Sequence, residues 1–349
     1  MTATAEPTAA APSGSEPLLR TADLTRHFRL GGIFSHQVLH AVDDISMEIG
    51  EREIVAVVGE SGSGKSTLAR LLAMLYRPTR GRIFFRGRPL ESLRSRRDVL
   101  WYRRQVPMVF QDPYSSINPV FRVSHGVMRN LTLHRPELRG AARRAEAERV
   151  FEVVGLTPAR EMLAKFPYEM SGGQRQRVGF AQALALQPRL ILADEPVSML
   201  DVSIRAGILN LMAELREREG VSILYITHDI ASARYVADRI LVMYGGHVVE
   251  TGSADDVLAD PKHPYTHLLL AAAPDPREPA AVDSSAVAGE PPKVVNPTEG
   301  CRFRARCPIA VDECGRVTPR LHAVGVGHAA ACHLAPADPG WPGGSRDGR

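Results

Sequence analysis

Residues 59 to 67 constrain this chain more than any other stretch. They read Gly59, Glu60, Ser61, Gly62, Ser63, Gly64, Lys65, Ser66 and Thr67, and match the pattern G-x-x-x-x-G-K-[ST]. A phosphate chain is held by backbone N–H groups, and only small residues let the backbone come close enough. Lys65 places a positive charge beside the β- and γ-phosphates, and the Ser66 hydroxyl can ligate Mg²⁺. The flanks agree. Glu53 to Val58 is a short apolar run, expected as a buried parallel strand, and Leu68, Leu71, Leu72 and Leu75 recur at helical spacing. The loop thus lies between a strand and a helix N-terminus, where the dipole favours anions.

A chain of 349 residues has room for two compact units. No apolar run approaches the roughly 18–20 residues of a membrane span, and no secretory signal opens the sequence. The net charge of +4 is spread among acidic residues, and no nucleic-acid motif is present, so no nucleic-acid partner is expected. All four cysteines lie in the last 50 residues. In a reducing compartment such clustering suggests a metal or cluster site rather than a disulfide framework.

Taken in order, residues 1–16 read as a disordered tail. Strands are expected between Leu18 and Ile49, around a loop at Gly31 to Ser35. Phe28 is a candidate to stack on a nucleotide base, with a core aromatic as the alternative. Gln105 to Phe110 reads as a strand that delivers Gln111 to the phosphate site, followed by a turn-rich loop to Pro119. Residues 120–168 read as mostly helical, with a helix from Ala141 to Val154 stopped by Gly155. Ser171 is an N-cap for a helix reaching Leu186, and Gly172 and Gly173 leave N–H groups bare at its start. Leu190 to Asp194 is a second buried strand, ending in Asp194 and Glu195. An Asp there can hold Mg²⁺, and the following Glu can polarise an attacking water. Ser203 to Glu219 is amphipathic, Val221 to Ile226 is a third core strand, and Gly245-Gly246 marks a hairpin.

In this order the motifs resemble those of the ATPase subunits of ATP-binding cassette (ABC) transporters, over residues 18 to 275. Gly59 to Thr67 resembles the Walker A motif and Leu190 to Asp194 Walker B. Glu195 falls at the catalytic carboxylate, Gln111 in the Q-loop and His228 at the switch histidine. Met170 to Gln174 resembles the LSGGQ signature with Met for Leu, and Ser198 to Asp201 the D-loop with Met199 for Ala. The stretch Phe110 to Pro119, the run His263-Pro264-Tyr265-Thr266 and the cysteine tail are similar to the oligopeptide/dipeptide permease importers, and Pro113 to Ser116 to their second ATPase. Some relatives with these features import nickel or oligosaccharides.

The resemblance implies an α/β fold: a P-loop NTPase (RecA-like) core, an antiparallel β-subdomain, an inserted helical subdomain over about 112–186 and a small C-terminal extension. The expected division is a nucleotide-binding domain over 17–275, a linker over 276–297, a Cys-rich module over 298–334 and a flexible tail over 335–349. It further implies ATP and Mg²⁺, the metal on Ser66, Gln111 and Asp194, with Glu195 and His228 acting in hydrolysis. One set of motifs implies a second ATPase, against which Ser171, Gly172, Gly173, Gln174 and Asp201 act across a dimer. Two permease subunits and, indirectly, an extracytoplasmic binding protein complete the assembly, with this chain peripheral on the cytoplasmic face of the membrane. A soluble ABC ATPase acting on DNA or the ribosome is the alternative from another class. Cys301, Cys307, Cys314 and Cys332 have five, six and seventeen residues between them. The tail resembles that of some peptide-importer ATPases, and the resemblance implies a 4Fe–4S cluster on these four thiolates. A zinc site completed by His322, His328 or His333, and four simply buried thiols, remain open.

Overall fold

The computed structural model describes residues 16–31, 36–112, 117–272 and 294–335. All but one residue of the expected N-terminal tail, most of the linker, all but Ala335 of the C-terminal tail and Pro113 to Ser116 lie outside the described residues. The strands are β1 (Leu19–Leu30), β2 (Gln37–Ile49), β3 (Ile54–Val58), β4 (Arg80–Phe85), β5 (Arg88–Pro89), β6 (Met108–Val109), β7 (Leu190–Asp194), β8 (Ser222–Thr227), β9 (Arg239–Tyr244), β10 (His247–Ser253), β11 (His322–Gly325) and β12 (His328–Ala330). They form two sheets. The smaller is ordered β2-β1-β4-β5 and is antiparallel throughout.

The larger sheet runs β11-β12-β10-β9-β3-β8-β7-β6. Its strands β6, β7, β8, β3 and β9 are parallel. β3, β7 and β8 are buried along their whole length, which is why they read as unbroken apolar runs rather than alternating ones. Helices Gly172–Leu184 and Val202–Arg218 contribute Val178, Phe180, Ile208, Met212 and Leu215 to one core; helix Lys65–Leu72 contributes Leu68, Leu71 and Leu72 to the other. Between β6 and β7 the chain leaves the sheet for helices Ser124–His134, Gly140–Val153 and Ala159–Ala164. Gly155 and Gly220 end their helices at φ of 74° and 68°, the left-handed geometry that suits glycine.

Two expectations need correction, and two regions take a more definite form. The expected strand from Gln105 to Phe110 is cut to Met108–Val109, because helix Arg96–Gln105 precedes it. Ser95 and Asp98 start that helix with reciprocal capping bonds. Helix Lys65–Leu72 ends before Leu75, which is 50% exposed and joins no core. The end of the linker is docked: Asn296 exchanges two hydrogen bonds with Val38, and Val294 O accepts from His40 N. The cysteine region, finally, joins the main sheet: β12 pairs with β10 and β11 with β12, both antiparallel.

Candidate nucleotide site and thiol cavity

The loop 59–64 leaves β3 and enters helix Lys65–Leu72 through Gly64 at φ 105°. A Cβ on Gly64 would stand 2.1 Å from Ala41 O, and one on Gly59 2.2 Å from Met243 O. Neighbouring backbone therefore closes on the loop from both sides, and only glycine fits at these two positions. Ser61 and Gly62 form an exposed tip. Ser63 Oγ is buried with no hydrogen-bond partner among the described residues, an orphan group that a ligand would satisfy. Lys65 is 4% exposed and its Nζ donates to Gly59 O at 2.6 Å and Glu60 O at 2.9 Å. Burial pushes its pKa down, against the pull of Glu195, Asp194 and Glu60. These features fit an anionic phosphate chain.

Beside the loop, Ser66 Oγ donates to Asp194 Oδ1 at 2.8 Å. Burial raises the Asp194 carboxyl, with Glu195 adding to the rise and the Ser66 hydrogen bond opposing it. A hydroxyl and a buried carboxylate so joined are hard oxygen donors suited to Mg²⁺. Glu195 follows at φ 47°, a left-handed conformation costly for a residue with a side chain and common at working sites. Its Oε2 accepts from Gln111 Nε2 at 3.1 Å and lies 3.2 Å from His228 Nδ1. The ends of β6, β7 and β8 thus bring three of the expected residues onto one oxygen.

Phe28 pairs with Leu39 across β1 and β2, two residues from the Ala41 carbonyl that meets Gly64. It is half-buried, edge-on to Tyr76, and the Arg26 guanidinium covers its face at 4.5 Å. Ser171 and Gln174 cap helix Gly172–Leu184 reciprocally, at 3.2 and 3.0 Å. A Cβ on Gly173 would meet Ile204 at 2.3 Å, so the signature turn is packed on the start of helix Val202–Arg218, with Asp201 exposed beside it. No hydrogen bond joins Ser171 to Gln174 with the phosphate loop among the described residues.

Sequence reasoning missed three supports of the loop. Tyr265 Oη accepts from Glu60 N at 2.7 Å. Glu250, fully buried, accepts from His263 N, Thr266 Oγ1, Lys262 N and His328 Nε2, fixing the turn that presents Tyr265. Arg306 reaches Glu60 with two hydrogen bonds. The His263-Pro264-Tyr265-Thr266 run was the only local hint of any of this.

Cys301, Cys307, Cys314 and Cys332 line one cavity together with His263, Phe303 and Ile309, and none is in a disulfide. Burial pushes the Cys301 thiol up to about 11, and the three other thiols push in the same direction. A bound metal would have to displace such protons. His328 Nε2 is spent on Glu250 and His322 Nε2 on Ala335 O, while His333 lines the cavity with its Nε2 on Val317 O. Four sulfurs and the imidazoles of His263 and His333 thus line the cavity.

An anion cradle at the end of a central parallel strand, with a hydroxyl–carboxylate pair beside it, defines a P-loop nucleoside triphosphatase. The family described as "ABC transporter" matches residues 42–198, and "Oligopeptide/dipeptide transporter, C-terminal region" matches residues 249–314. A protein of Sinorhizobium fredii, named a probable peptide ABC transporter ATP-binding protein, is 45% identical over 328 residues, 93% of this chain and 92% of that protein. The oligopeptide transport ATP-binding protein AppF of Bacillus subtilis is 38% identical over 327 residues, 92% of this chain and 98% of that protein. Among solved structures, the dimeric ATP-binding cassette MJ0796 bound to ADP and Pi superposes with a TM-score of 0.60 at 28% identity, covering 68% of this chain and 98% of that one. CbiO1 of Clostridium perfringens gives 0.61 at 27% identity, over 70% and 92%. The chain belongs to the ATPase subunits of ABC transporters. Its activity is ATP hydrolysis with Mg²⁺, and membership implies a partner ATPase and membrane permeases. No helix among the described residues is long and apolar enough to cross a membrane.

Proposed function

We propose that the chain energises the import of peptides or related solutes, as one of two ATPases beneath two permease subunits on the cytoplasmic face of the membrane. An extracytoplasmic binding protein delivers the cargo. The match of residues 249–314 to the oligopeptide/dipeptide transporter C-terminal region carries this reading, and the peptide-transport names of both relatives agree with it.

In this reading residues 59–67 hold the phosphates, with Lys65 on the terminal ones. Mg²⁺ neutralises phosphate charge when bound; Ser66, Asp194 and Gln111 would hold it. Glu195 polarises the attacking water while Gln111 and His228 fix its carboxylate, and His228 steadies the γ-phosphate. Ser171, Gly172, Gly173, Gln174 and Asp201 complete the partner's site rather than this chain's own. The dimeric state of MJ0796, and the lack of hydrogen bonds between signature and loop within one chain, support that assignment. The four thiols hold a 4Fe–4S cluster, supported by their common cavity and by the hydrogen bonds that engage Nε2 of His322, His328 and His333.

The test is reconstitution in vesicles with the two permeases and the second ATPase. ATP turnover should rise when a peptide-loaded binding protein is added, and fall to the slow rate of the isolated chain when the partner is left out. Stimulation by a nickel- or oligosaccharide-loaded binding protein in place of the peptide-loaded one would overturn the cargo. Full coupled activity with this chain as sole ATPase would overturn the heterodimer.

A further inference from the structure

Outside the cassette motifs, the segment from Cys301 to Cys307 reaches the phosphate loop by two routes. The short 3-10 turn Arg304–Arg306 ends at Cys307, and Arg306 sends both terminal nitrogens to the Glu60 carboxylate at 2.7 and 2.9 Å. The two side chains are 12% and 22% exposed, so this two-pronged pair is much less screened than a surface one. Arg302, next to Cys301, donates to Gly245 O and to the Asp43 carboxylate, and Gly246 N donates to Ser63 O at 2.9 Å. Phe303, buried at 1%, packs edge-on against Tyr244 and tilted against Tyr265.

Glu60 is an awkward residue for its place. A phosphate cradle works through backbone N–H groups and Lys65, and a free carboxylate in the same loop would repel the ligand. Arg306 cancels that charge. It also fixes Glu60, whose N–H is held by Tyr265 and whose carbonyl accepts from Lys65.

We propose that Arg306 is a positioning residue for nucleotide binding, neutralising and anchoring Glu60, and that it makes ATP affinity answer to the state of the adjoining thiol cavity. The inference rests on the nucleotide reading of residues 59–67. By linkage the coupling runs both ways: nucleotide shifts the equilibrium between states of the thiol cavity by the same factor with which those states alter nucleotide affinity, and a change in thiol reactivity is its kinetic sign.

The experiment titrates the full chain, as purified, with an ATP analogue fluorescent at the ribose. Arg306→Met should raise Kd on the order of tenfold, the effect of an uncompensated carboxylate near the phosphates at intermediate dielectric. The saturated turnover should change by less than about twofold. Adding Glu60→Gln to Arg306→Met should recover most of the affinity, which a merely structural role would not allow. Alongside, the thiols are attacked with p-hydroxymercuribenzoate, which reacts whether or not they hold a metal. Saturating nucleotide should change that rate in the wild type and not in Arg306→Met. Should Arg306→Met melt below the assay temperature, Arg306→Lys decides: it keeps the charge but not the fork, and should raise Kd by about two- to threefold. A wild type that does not bind the analogue, with Lys65→Ala no different, sinks the reading of the loop itself. Wild-type binding together with an unchanged Kd in the Arg306 variant, or with a thiol reactivity indifferent to nucleotide, overturns the proposal.

Discussion

Gln111 Nε2 donates to Glu195 Oε2 across 3.1 Å, tying the segment after β6 to the residue that follows β7. That oxygen is also the one nearest His228. Glu195 is thereby oriented before any ligand arrives, while its 14% exposure leaves it open to water. Glu195→Gln keeps the shape and removes the base. Turnover should fall by about 10²–10⁴-fold, with the Kd for ATP little altered. Single-turnover hydrolysis, run with the partner ATPase's own site disabled, makes the measurement. A rate equal to that of the wild type would remove Glu195 from the chemistry.

Tyr265→Phe tests the support behind the loop. The Glu60 N–H would lose its acceptor in a largely covered position, at a cost of about 1–3 kcal/mol. A fall in Tm of several degrees is expected, together with weaker ATP binding, since the lost bond fixes the loop backbone itself. Thermal melts with and without nucleotide separate the two effects: stabilisation by ATP should shrink in the variant.

Much of this site was legible because its information is local. The residues 59–67, the unbroken apolar runs of β3, β7 and β8 and the Gly245-Gly246 hairpin each carry their reason within a few neighbours. Helix Arg96–Gln105 was also legible in principle, since Ser95 and Asp98 have the spacing of a capping box; its arginine-rich, weakly apolar sequence hid it. Leu75 misled because helical spacing carries it one turn past Leu72, where the helix ends ahead of Met74 at a φ of 53°. The Arg306–Glu60 pair belongs to another kind. It spans 246 positions and follows from no period or motif, only from β11 and β12 docking beside β10 and carrying the thiol segment to the loop.

Asp43 gives a pH-dependent prediction. Burial by itself would raise its carboxyl, but hydrogen bonds from Arg302, His27 and His40 hold it well below its usual value of 3.8. The folded form therefore gives up its proton more readily than the unfolded one. The stability this contributes is complete above pH 3.8 and disappears as pH falls toward the folded value. Asp43→Asn leaves the Arg302 guanidinium buried without its counter-charge, at a cost of about 3–5 kcal/mol near neutrality. Urea melts should show the variant and the wild type far apart at neutral pH and converging progressively below pH 3.8. A gap that stays constant with pH would mean that the carboxylate charge is not what matters at this position.

The thiol cavity gives the last prediction. Cys314 and Cys332 are buried, while Cys301 and Cys307 are partly open. Cys301 N donates to Cys314 O at 2.7 Å, so two of the four already share a backbone tie that precedes any metal. Thiols in an apolar cavity have few partners. Four thiolates on one cluster would satisfy them together and would close the loops between distant positions, adding stability as other structural metal sites do. Protein prepared without oxygen should be brown, with about four irons and four acid-labile sulfides per chain. Cys314→Ser should lose the iron and lower the Tm, whereas a Ser substitution at His322, whose Nε2 is bonded to Ala335 O, should keep the iron. Stoichiometric zinc with no iron in anaerobic protein would replace the cluster by a zinc site. Protein free of metal, with a Tm indifferent to Cys314→Ser, would leave the four cysteines as packing alone.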